Sequence, residues 1–145
     1  MSAPAAGSPV RYFEDVQVGD IVDTPGRTVT EADLVCFAAI SGDHDGLDRV
    51  VERPVPDHLV VLLTSGLGFR VPAAQLSIVA FMVLDWEFCA PVRLGDTLHC
   101  RMWVAAKRGL KEGGIIVEER EIVNQRGEVV QRGEYKLMVA RRPRG

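Results

Sequence analysis

Hydrophobic and polar positions change period once along this chain, near Ser77. Before that point the spacing is helical. Leu34, Phe37, Ala38 and Ser41 recur three and four residues apart, which predicts an amphipathic helix. Thr30 stands at its N-cap with Asp33 three residues on, and Gly42 stops it. Residues 59–69 are apolar almost all round: Leu59, Val60, Val61, Leu62, Leu63, Leu67 and Phe69. A helix without a polar face belongs inside a protein, wrapped by other elements. Ser65, Gly66 and Gly68 are small and let other backbone come close.

After Ser77 the period is two. Ile78, Ala80, Met82, Leu84, Trp86 and Phe88 alternate with Val79, Phe81, Val83, Asp85 and Glu87, which predicts a long strand broken by Pro91 and Gly95. A second strand is expected over 97–106, a loop over 109–114, a third strand over 115–124, a hairpin turn at Gln125-Arg126-Gly127 and a fourth strand over 128–140. Four strands with short connections predict an antiparallel meander. Two shorter strands, 21–24 and 27–29, flank the Pro25-Gly26 turn. The expected fold class is α+β: a single hotdog domain, a curved antiparallel sheet wrapped around a central apolar helix. Trp86, Phe88, Trp103, Met82 and Met102 are expected in its packing, and His99 as a structural residue. Such a sheet leaves edges open, and pairing two copies covers them. A homodimer is expected, or a heterodimer with a related hotdog subunit.

Composition narrows the function. The 145 residues suit one domain, placed at 11–141, with a flexible leader over 1–10 and a basic tail over 142–145. Hydrophobic residues make up 47% and the net charge is −3, which argues against a general nucleic-acid binder. No apolar run reaches the ~18 residues of a membrane span, and the leader lacks the apolar core of a signal peptide. A cytoplasmic protein with no membrane partner is expected. Cys36, Cys89 and Cys100 form no CxxC pair, so they are read as small core residues, not as zinc ligands or disulfides. Asp43, Asp45 and Asp48 lack the ligand series and terminal Glu of a calcium loop. No phosphate-binding Gly-rich loop and no Gly-x-Ser-x-Gly elbow is present. Neither a metal nor a cofactor is expected.

Several segments, in order, resemble the MaoC-like hydratase/dehydratase family of hotdog proteins. They are Tyr12-Phe13-Glu14-Asp15 with Val18-Gly19-Asp20; Arg27 to Asp33 with Phe37-Ala38-Ala39; Ser41-Gly42-Asp43; Ser65-Gly66-Leu67; and Phe88 with Pro91-Val92 and Gly95-Asp96. The resemblance covers residues 12–140. It implies a catalytic loop of the form Ser-Gly-Asp-x-Asn-Pro-x-His, whose Asp and His move water onto or off the double bond of a 2-enoyl thioester. A backbone N–H at the start of the central helix would polarise the thioester carbonyl. On that pattern Asp43 falls on the catalytic Asp and His44 on the variable position. Asp45 replaces Asn, Gly46 replaces Pro, and Asp48 stands where the His belongs. Pro56-Asp57-His58 occupies the region of the family's His-Gly turn, and Ser65 falls on a Ser near the site.

The departures leave two readings. In the first, the chain is a lyase or isomerase acting on an acyl-CoA or acyl-carrier-protein thioester with a bulky or polyketide-like chain. Asp43 is then the acid–base residue, with His58 or Asp48 in place of the missing His, and His44, Asp57, Ser65 and Gly66 line the substrate. Asp57 also suits the helix's N-cap or first turn. In the second, the chain is a non-catalytic hotdog subunit that pairs with an active MaoC-like partner.

Overall fold

Residues 10–44 and 54–144 are described by a computed structural model. Helix α1 spans Glu31–Ser41 and α2 Asp57–Leu67; the strands are β1 Ile21–Asp23, β2 Arg27–Thr28, β3 Ile78–Phe88, β4 Thr97–Leu110, β5 Gly113–Val123 and β6 Val129–Ala140. Thr30 caps α1 as its sequence predicts. Its amide donates to the Asp33 carboxylate at 2.9 Å, the Asp33 amide returns to the Thr30 hydroxyl, and Gly42 closes the helix at φ 77°.

All strand pairs are antiparallel, in the order β1-β4-β5-β6-β3, with β2 also on β4. The expected four-strand meander holds only for β4–β5–β6. β3 does not pair with β4; it lies at the far edge, on β6. Two contacts impose this crossover. The amides of Cys89 and Ala90 both donate to the Val130 carbonyl, which keeps the end of β3 on β6. The turn before β4 is then fixed beside β2, where the Gly95 amide donates to the Val29 carbonyl and the Val29 amide to that of Asp96.

The loop expected over 109–114 is a two-residue turn, because β4 runs on to Leu110 and β5 begins at Gly113. Gly109 and Gly114 pair across the ladder beneath the Phe13 ring, and a Cβ on Gly114 would fall on that ring. These glycines mark close approach to an aromatic ring inside strands.

The core forms two apolar clusters. One joins α2, through Leu59, Val60 and Leu67, to Leu98, Met102, Ile122 and Val130; the other gathers Phe13, Val16, Ile116, Leu137 and Val139. Contrary to expectation, α2 is not enclosed all round, since Leu62 is 51% exposed. β3 is open along most of its length, with Phe81 62% exposed. Met82 and Phe88 are therefore surface residues, whereas Met102 is core. Of the cysteines only Cys100 is buried; Cys36 and Cys89 are exposed on the outer sides of α1 and the β3 end. Burial pushes the Cys100 thiol up to about 12. Arg141 and Arg142 are exposed yet held, by ion pairs to Glu14 and Asp15.

Candidate active site

The start of α2 is fixed by backbone and buried side chains. The Val55 amide donates to the Val92 carbonyl at 2.7 Å. The fully buried Gln131 accepts from Trp86 Nε1 at 2.8 Å and donates to the Asp57 carbonyl at 3.0 Å. Pro56 occupies the N-cap and supplies no side-chain cap to the first amides of α2. Asp57 is thus a first-turn acid and not the cap.

His58 follows on the exposed side, its ring 5.8 Å from that of Phe88. Ser65 lies seven residues on, two turns along the same helix face. The two share a groove with Val61, Leu62, Phe81 and Leu84, of ≈ 510 Å³ at the centres of water-sized groups. Behind it, sharing Ser65, Phe81 and Tyr135 as walls, lies a smaller chamber of ≈ 50 Å³ on the same measure, which Gly68, Met102, Glu118 and Arg120 also line.

Glu118 and Arg120 are buried there as an ion pair, Nε to Oε1 2.6 Å. The Arg120 guanidinium stacks over the Tyr135 ring at 4.1 Å. Burial pulls the guanidinium down, but the Glu118 charge more than restores it and holds it protonated. Burial also raises the Tyr135 phenol. The Arg120 Nη1 is buried without an acceptor among the described residues. Sequence reasoning missed these two residues. The signal was the period-two run Ile116, Glu118, Arg120, Ile122, which puts two charges on a buried strand face.

The structure brings together His58 and Ser65 from the sequence-derived set. It places Asp43 and His44 just past α1, exposed and not among the groove-lining residues, with the Asp43 amide donating to Ser41 Oγ at 3.1 Å. Gly66 lines a separate surface depression with Leu62, Arg27 and Arg70, and nothing lies within 4 Å of its missing Cβ. Asp48, with Asp45 and Gly46, falls outside the described residues. Among the described residues, no cluster of His, Cys, Asp and Glu has a metal-binding arrangement, and no helix is long and apolar enough to cross a membrane.

No family sequence model matches the chain. It is 37% identical over 102 residues to the MaoC protein of Klebsiella aerogenes, a match that takes in 63% of this chain and 30% of that protein. The chain thus spans about a third of the length of that relative. Among solved structures, a MaoC-like dehydratase from Rhodospirillum rubrum is 26% identical with a TM-score of 0.75, covering 92% of this chain and 99% of that one. A monoamine oxidase regulatory protein from Archaeoglobus is 27% identical with a TM-score of 0.80, covering 92% and 97%. At lower identity the likeness is one of fold. It extends to a double-hotdog protein of Mycobacterium tuberculosis (20%, TM-score 0.78, 94% and 46%) and to its HadBC (3R)-hydroxyacyl-ACP dehydratase complex (22%, TM-score 0.68, 83% and 96%). The chain thus has the hotdog fold and is similar in sequence and structure to MaoC-like proteins.

Proposed function

We propose that the chain is a hydratase- or dehydratase-type lyase, or an isomerase, acting on an acyl group held as a CoA or carrier-protein thioester. The observation that carries this reading is the open groove along α2, from His58 at the uncapped first turn to Ser65 two turns on. The thioester carbonyl sits at the first turn of α2, where the helix end is positive, and the acyl chain lies on Val61, Leu62 and Phe81. In the hydration direction, a base takes one proton from water as the water oxygen bonds to carbon 3, the carbon 2–carbon 3 π bond breaks, and an acid delivers a proton to carbon 2; His58 makes one of these two transfers. Asp43, at the tip of α1, is its acid–base partner, and Asp48 is the second carboxylate available to the loop. An open groove with exposed Leu62 and Phe81 walls suits a bulky or polyketide-like chain better than a narrow tunnel would.

The exposed apolar β3 edge supports pairing with a second copy of this chain, in the cytoplasm. The second reading, a non-catalytic subunit beside an active MaoC-like partner, is favoured by one observation: Asp43 and His44 do not line the groove that holds His58.

A panel of 2-enoyl and 3-hydroxyacyl thioesters on CoA and on carrier protein, including branched and aromatic chains, separates the two. The enzyme reading expects turnover that falls 10²–10⁴-fold in His58→Gln, the span usual for one acid–base group. Absence of turnover across the panel selects the non-catalytic subunit.

A further inference from the structure

On the buried face of β5 the side chains run Ile116, Glu118, Arg120, Ile122. Ile116 belongs to one apolar cluster and Ile122 to the other, so the ion pair occupies the gap between them. That gap is the chamber beside Ser65, which Gln75, Leu76, Met102 and Tyr135 also line. Stability does not explain the pair. Apolar residues of similar volume would pack between two apolar clusters at least as well, because a buried pair seldom recovers its desolvation cost. Arg120 also keeps one guanidinium nitrogen, Nη1, buried and without an acceptor among the described residues, an arrangement that folding alone disfavours.

Resting on the acyl-thioester reading above, we infer that this chamber selects acyl chains carrying a neutral oxygen function, a ketone or hydroxyl, at the far end, where Arg120 donates to it. Three features fix the class. Arg120 is already neutralised by Glu118 at 2.6 Å, so a ligand carboxylate would leave a net buried negative charge, whereas a neutral oxygen accepts from the guanidinium at no charge imbalance. The chamber, at ≈ 50 Å³ for the centres of water-sized groups, takes a few atoms and not a ring system. It opens beside Ser65 onto the groove that holds the rest of the chain, so the oxygen sits at the end remote from the thioester.

The test is binding, measured by titration calorimetry on the full chain with non-hydrolysable pantetheine thioethers that keep the carbonyl, S-(2-oxoalkyl)-pantetheines. One series is otherwise plain alkyl; the other has the same lengths with one further oxo group moved stepwise along the outer half of the chain. One oxo position is expected to bind about 10- to 100-fold tighter than the matched alkyl chain, the gain of one hydrogen bond to a charged donor. The Glu118→Leu/Arg120→Met double variant is expected to lose that preference and favour alkyl. Equal binding of oxo and alkyl chains by the native protein, a comparison that needs no variant to fold, overturns the inference and leaves the acyl-thioester reading standing. Survival of the oxo preference in the double variant overturns the role of Arg120. Failure of every chain to bind overturns the acyl-thioester reading, and this inference with it.

Discussion

Glu118 and Arg120 stand two residues apart on β5, face the same side of the sheet, and meet at 2.6 Å between the two apolar clusters of the core. Removing one partner strands the other charge. Arg120→Leu is expected to lower unfolding stability by about 3–5 kcal/mol, whereas the double change Glu118→Leu/Arg120→Met is expected to be neutral or stabilising. Denaturant titration of the two variants and the native chain checks this.

The cap of α1 makes a second expectation specific. Arg27 donates to both oxygens of Asp33, and the Thr30 amide and hydroxyl add to that, so the Asp33 carboxyl is held down to about 2 against an ordinary 3.8. A carboxylate whose folded value is depressed contributes stability that is present above its unfolded value and is lost as pH falls through its folded value. Asp33→Asn is expected to lower stability by about 1 kcal/mol at neutral pH. The gap between variant and native is expected to close as pH falls from about 4 to about 2, the span between the two values. Thermal melts across that range measure it.

Gly114 lies beneath Phe13 so closely that a side chain cannot be added without moving the ring. Gly114→Ala is expected to cost about 1–3 kcal/mol by overpacking. Gly66→Ala, with open space at its Cβ in the middle of α2, is expected to be neutral or mildly stabilising. Melting temperatures of the two variants give the comparison.

The edge strand β3 has no strand partner opposite β6 among the described residues, and its apolar side chains are exposed. Sedimentation of the native chain is expected to give a dimer, and Val79→Lys/Val83→Lys a folded monomer. A native monomer at micromolar concentration contradicts the pairing.

The local signals in the sequence were faithful where the chain interacts with itself nearby. Thr30, Asp33 and Gly42 mark both ends of α1, and the period-two runs locate all four long strands. Non-local pairing was not legible. Nothing in residues 89–96 announces that β3 pairs with β6 and not with β4; that depends on where Val130 and Val29 lie when folded. Glycines 109 and 114 read as a loop because their partner, the Phe13 ring, is about a hundred residues away in the chain. Within the site, His58 was found from its place at the start of the central helix and Ser65 from the family pattern. Glu118 and Arg120 were passed over although the alternation around them was plain, because charges on a strand are ordinarily assigned to its solvent face. Asp43 was placed by its motif; that it is not among the residues lining the groove was not readable from the motif.

On the proposed reading, water chemistry on an acyl thioester takes place in the α2 groove, with Asp43 and His58 moving the protons. Mass spectrometry in H₂¹⁸O measures this, using the thioester panel with native chain, Asp43→Asn and His58→Gln. Oxygen-18 is expected at carbon 3 of the product with the native chain, and its loss or near-loss in both variants. Native-level incorporation in both variants, or none with the native chain, would contradict it.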